Sequence, residues 1–221
     1  MKRVAFAIVL SYACLFIVLT LPVLWGCFYS EVQRTPVLNV FSFGPYWAWL
    51  TVMLLCESAL LLVPVKVAAR RPVSRRSIYI PVIASALLMG CLLLGLVCSI
   101  AEFVQQQDAL REPWQGWSAL GASVLLWVIW SIVFSRVARQ GPPRDVVSRQ
   151  CRHLIQGSAL SLLVAVPTHI VARHRDYCCA GYLTFVGIVF GLAVMLLSFG
   201  PGIFFLYISR WKGLQARAGR L

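Results

Sequence analysis

GPYWAWLTVMLLCESALLLVPV, residues 44–65, is an apolar run broken by one formal charge, Glu57, near its middle. Crossing ~30 Å of hydrocarbon takes about 20 residues at ~1.5 Å rise each, so this run reads as a transmembrane helix. A bare strand edge in lipid would leave backbone amides and carbonyls unpaired, which favours helix over sheet. The alternating ten-residue pattern of a membrane β-barrel is absent.

Working outward, five more stretches have the same character. The six expected spans cover about 4–29, 44–65, 78–101, 117–134, 154–172 and 180–206, and the fourth is short for a crossing. The whole composition agrees: 60% of the 221 residues are hydrophobic and 12% charged, and the mean hydropathy is +0.82. A soluble domain is nearer ~45–50% apolar and ~25% charged. Ordinary soluble enzymes, disordered chains and disulfide-dense secreted scaffolds are thereby excluded. The expected fold class is an all-α integral membrane protein, a six-helix bundle forming one polytopic domain over residues 1–221.

The net charge of +13 follows from topology. With six spans both termini share a side, and sixteen of the twenty Lys and Arg residues fall there: at residues 2–3, 66–76, 136–152 and 210–220. Lys and Arg accumulate in cytoplasmic loops, so both termini are expected in the cytoplasm. Five of the acidic residues fall on the other side, at positions 31, 102, 108, 112 and 176. Trp25, Trp47, Trp49, Trp114, Trp117 and Trp211 match interfacial belts, whereas Trp127 and Trp130 fall inside the fourth span. Arg70, Arg71, Arg75 and Arg76 are candidates for anionic lipid headgroups, each worth about 1 kcal/mol near the surface. No aromatic residue is interleaved with the basic runs, so nucleic acid is not an expected partner. The expected partners are the lipid bilayer and, beyond it, a membrane-protein partner or a second copy of the chain. An excess of Arg over Lys and the lack of an N-x-Ser/Thr acceptor fit a bacterial inner membrane. Lys2-Arg3 before an apolar run resembles a signal peptide but lacks a small-x-small cleavage site. Leu24-Trp25-Gly26-Cys27 loosely matches a lipoprotein box, with Trp25 an unusual member, so lipidation at Cys27 is a minor alternative.

Packing signals are few. Gly187 and Gly191 make one small-xxx-small step and Ala86 and Gly90 another, spacings that let helix backbones approach in lipid. Gly200-Pro201-Gly202 interrupts the last segment. Proline removes an amide donor and clashes with the preceding turn, so either a kink or a separate interfacial helix is expected after residue 200.

Two groups of residues could carry chemistry. Glu57 is the only formal charge inside a span, and a carboxylate there costs several kcal/mol unless neutral, paired or wet. Counted inward from the cytoplasmic edges, Ser11, Ser85, Ser161 and Trp127 are seven residues deep, and Glu57 and Ser198 eight. That depth predicts a polar layer in which a neutral Glu57 donates to one serine and accepts from another, so that Glu57→Leu would strand those partners. The second group is His169, His174, Asp176, Cys178 and Cys179, five soft-metal ligand types within eleven residues near the outer surface. Cys27 and Cys98 lie at the same level, so disulfide pairing among Cys27, Cys98, Cys178 and Cys179 competes with a soft metal ion there. No nucleophile, zinc-protease or phosphate-loop motif is present. The sequence therefore points to a transporter-like, ion-handling or membrane-assembly component centred on Glu57, with no catalytic residue assigned. The alternatives are a metal/redox protein or enzyme using the outer cluster, and a structural subunit of a larger complex.

Overall fold

A computed structural model describes residues 2–28, 44–69, 73–104, 113–139, 145–175 and 181–218. Every regular element among them is a helix: α1 (Lys2–Phe28), α2 (Gly44–Ala68), α3 (Arg75–Val104), α4 (Pro113–Arg139), α5 (Val146–Arg173) and α6 (Tyr182–Ala218). Five stretches, in α2 through α6, are long and apolar enough to cross a membrane. Helix carries these sequences because it closes its own hydrogen bonds. The helices run through the internal prolines Pro64, Pro81, Pro167 and Pro201.

The helices overrun the apolar runs that announce them. α5 begins at Val146, eight residues before the expected start at 154, and α4 reaches from 113 to 139 rather than stopping at 134. Polar residues such as Ser148, Arg149 and Gln150 continue the helix, since backbone hydrogen bonding does not stop where hydrophobicity does. Of the two alternatives after residue 200, the last helix takes continuation rather than a separate interfacial segment. It runs unbroken through Gly200-Pro201-Gly202 to Ala218, 37 residues in all.

α3 and α6 occupy the middle of the bundle. α3 packs against α2, α4, α5 and α6, and α6 against α1, α2, α3 and α5. α1 closes one side over α2 and α6, while α4 lies at the opposite side, held chiefly by α3. Leu60, Leu88, Leu92, Leu154, Val194 and Leu197, from four helices, are fully buried between them. Small residues set the closest approaches. Gly95 on α3 faces Gly187 on α6, where a methyl at Gly95 would come 3.0 Å from the Gly187 Cα. Gly191 instead faces Leu162 of α5, so the Gly187/Gly191 step serves two neighbours. Ala86 is fully buried, and Gly90 lets the α4 backbone approach at Trp127.

Candidate functional site

Glu57 lies at the middle of α2, and its exposure is 0%. Neither carboxyl oxygen has a hydrogen-bond partner among the described residues. The carboxyl is pressed against α6 at Gly200: a methyl there would overlap Glu57 Oε1 and lie 2.8 Å from Cδ. The same methyl would lie 3.1 Å from Tyr12 Cε2 of α1. Glycine at 200 thus makes room for an acid and a tyrosine edge on one helix surface. Tyr12 anchors α1 there, its hydroxyl donating to the Leu196 carbonyl at 2.9 Å. Cys56 and Cys151 lie within electrostatic reach of the carboxyl. Pro201 is the next residue along, and without an amide proton it leaves the Leu197 carbonyl short of its usual helical donor.

Of the residues expected in a polar layer around Glu57, Ser85 and Ser198 are buried, and each bonds elsewhere. α2 and α3 are joined near the Lys66–Ser77 hydrogen bond. Glu57 is nine residues back from that contact and Ser85 eight residues on, about 12–14 Å in each case. Ser85 donates to its own helix at Pro81 (2.7 Å) and contacts Gln150 Oε1 at 3.2 Å. Trp127 Nε1 donates to the Ile83 carbonyl at 3.2 Å, and buried Ser198 donates to Val194 at 2.7 Å. Two expected members are displaced. Ser11 is exposed and bonds back to Ala7 on its own helix, while its neighbour Tyr12 turns inward. Gln150, near the start of α5, is the residue that contacts Ser85, and Ser161 lies eleven residues farther along α5, buried with no partner for its hydroxyl among the described residues. None of these groups hydrogen-bonds Glu57. The stranding of serine partners expected for Glu57→Leu therefore has no counterpart in the structure.

Of the second group only His169 and His174 are among the described residues, and His169 lies beside a helix cap made by Glu102. Glu102 was expected in a loop but belongs to the last turn of α3 and is 3% exposed. Its Oε1 accepts from the Gly181 amide at 2.6 Å and its Oε2 from the Thr184 amide at 2.7 Å. A carboxylate thereby closes the open amides and positive dipole end of α6. Gly181 has φ +89°, and a methyl there would strike Arg173 and His169, so glycine is required. His169 Nδ1 lies 3.1 Å from the Gly181 carbonyl and 2.9 Å from Thr184 Oγ1. Arg175 donates to the Glu102 and Phe103 carbonyls at 2.7 and 2.8 Å and stacks over the Phe103 ring. His174 is exposed and engages Ile170 of its own helix. The two histidines thus have separate structural partners, and no group of three or more His, Cys, Asp or Glu converges among the described residues. Asp176, Cys178 and Cys179 lie outside the described residues, as does the Cys27 side chain. Cys98 is a free thiol. Arg75 and Arg76 are exposed in the first turn of α3, and Arg70 and Arg71 lie outside the described residues.

Replacing Glu102 by alanine strands two buried amides at the start of α6, so the bundle should lose about 1–3 kcal/mol. Gln keeps one acceptor oxygen and should lose less. Thermal melting of both variants in detergent checks the order; equal melting of parent and Ala would remove the cap from the stability of the bundle.

No family model matches the chain, and neither a curated protein nor a solved structure shows detectable similarity to it.

Proposed function

We propose that this chain is a transporter-like membrane component that handles a proton or a cation at Glu57. The observation that carries the reading is a carboxyl at 0% exposure with no hydrogen-bond partner among the described residues. A buried polar group with no partner costs stability, and a structural acid would have partners to repay that cost. Glu57 instead abuts the one helix segment, Gly200-Pro201-Gly202, with an amide missing and two side chains absent. Proline and glycine are where a helix bends most readily, and bending there would let water reach the carboxyl.

The proposal includes a frame. The chain forms a single polytopic domain of six spans, α1 included, with cytoplasmic termini in a bacterial inner membrane. The basic residues at 66–76 and 136–152 then face anionic headgroups, Arg75 and Arg76 among them. Reporter fusions at Asn39, Asp108 and the C-terminus test this. Activity confined to the extracytoplasmic side for the C-terminal fusion would overturn it.

Glu57→Gln and Glu57→Met test the site itself. Both should fold, and Met should melt at or above the parent temperature because it removes an uncompensated polar group while keeping much of the volume. Both should abolish Glu57-dependent flux in proteoliposomes. Parent-level flux in Glu57→Gln would end the reading.

A further inference from the structure

We infer that the Glu57 site takes a proton and excludes metal cations, the bound proton being directed at the Leu197 carbonyl. This rests on the function proposed above and names its substrate. The first support is the count of ligands. Ca²⁺ takes 6–8 oxygens and Mg²⁺ an octahedron of six. The carboxyl contributes two oxygens, and the Tyr12 hydroxyl, which donates to Leu196, could add a third at most. The thiols of Cys56 and Cys151 are nearby, yet no group of three or more His, Cys, Asp or Glu gathers among the described residues. A proton needs one oxygen to hold it and one acceptor to receive its hydrogen bond.

The second support is the acceptor. In an α-helix the carbonyl of residue 197 bonds the amide of residue 201, and proline at 201 has no amide proton. The Leu197 carbonyl is therefore left open one turn from Gly200, where the carboxyl rests. The neighbouring Leu196 carbonyl already accepts from Tyr12. A protonated carboxyl can thus donate to α6 at a carbonyl whose usual helical donor is missing. In the ionised state the same carbonyl dipole repels the carboxylate, so release of the proton, to water, loosens the contact between α2 and α6. Binding and helix contact are coupled through a single hydrogen bond.

The experiment uses the full-length protein in vesicles of phosphatidylethanolamine and phosphatidylglycerol. The vesicles are loaded in turn with dyes sensitive to H⁺, Na⁺, K⁺ and Mg²⁺. The expected result is H⁺ flux that falls to the level of empty vesicles in Glu57→Gln, with no Glu57-dependent signal from any metal ion. Na⁺, K⁺ or Mg²⁺ flux lost in Glu57→Gln would overturn the proton assignment and leave the ion-handling reading standing. No Glu57-dependent flux of any ion would overturn both. Infrared difference spectra in H₂O and D₂O provide a readout independent of transport. A protonated-carboxyl band absent from Glu57→Gln is expected, and it should shift in Pro201→Ala, which returns an amide to Leu197, while Gly202→Ala leaves it in place. A band unmoved in Pro201→Ala would overturn the Leu197 assignment.

Discussion

Gly187→Leu will leave α3 and α6 unable to pack, and the protein should be recovered as a destabilised or aggregated species. A single methyl at Gly187 already overlaps Ser99 Oγ and comes 2.8 Å from the Gly95 carbonyl oxygen. The serine hydroxyl can turn, but the carbonyl belongs to a helix backbone and cannot. Overpacking of a buried site costs about 1–3 kcal/mol when side chains can adjust, and this contact offers less adjustment than that. Gly187→Ala should be milder, and Ser99→Ala should recover part of its loss by removing one of the two obstacles. Melting temperature in detergent is the measurement; Gly187→Leu melting with the parent would show that α3 and α6 are not in contact there.

The second large effect is expected at Gly200. Alanine puts its methyl onto Glu57 Oε1, so the carboxyl must leave the α6 surface or α6 must move away from α2. Either outcome should abolish Glu57-dependent flux, at a stability cost of about 1–3 kcal/mol. With Glu57→Ala in the background the obstacle is gone, and Gly200→Ala should then cost little. Residues in contact typically show interaction energies of about 0.5–3 kcal/mol in such cycles. Strict additivity of the two substitutions would mean that carboxyl and glycine do not touch.

Hydropathy located each of the six helices among the described residues, and it misjudged their ends because backbone hydrogen bonding continues past the apolar run. The misjudged start of α5 had a direct cost. Counting from 154 puts Ser161 at the depth of Ser85, whereas the residue that contacts Ser85 is Gln150, eleven positions earlier. Glu57 was legible because one charge in an apolar run is conspicuous. Tyr12 was not, although the adjacent Ser11 was singled out. Counting residues inward gives the height of a side chain but not its direction, and successive side chains on a helix point about 100° apart. Which of the pair faces the bundle is decided by packing on α2 and α6, information spread over the whole chain. Glu102 was invisible for a related reason. An acid after an apolar run reads as a loop residue, and only the approach of Gly181 and Thr184, 79 and 82 positions later, turns it into a cap.

That separation bears on how the molecule is made. A ribosome delivers α3 well before α6, so the Glu102 carboxylate has to wait for its partners while α4 and α5 are synthesised. The amides it will receive do not yet exist. The latch between α3 and α6 can close only after α4, α5 and the start of α6 have been made. A chain truncated before Gly181 would keep the acid and lack its lock, which gives quality-control proteases a reason to recognise unfinished copies.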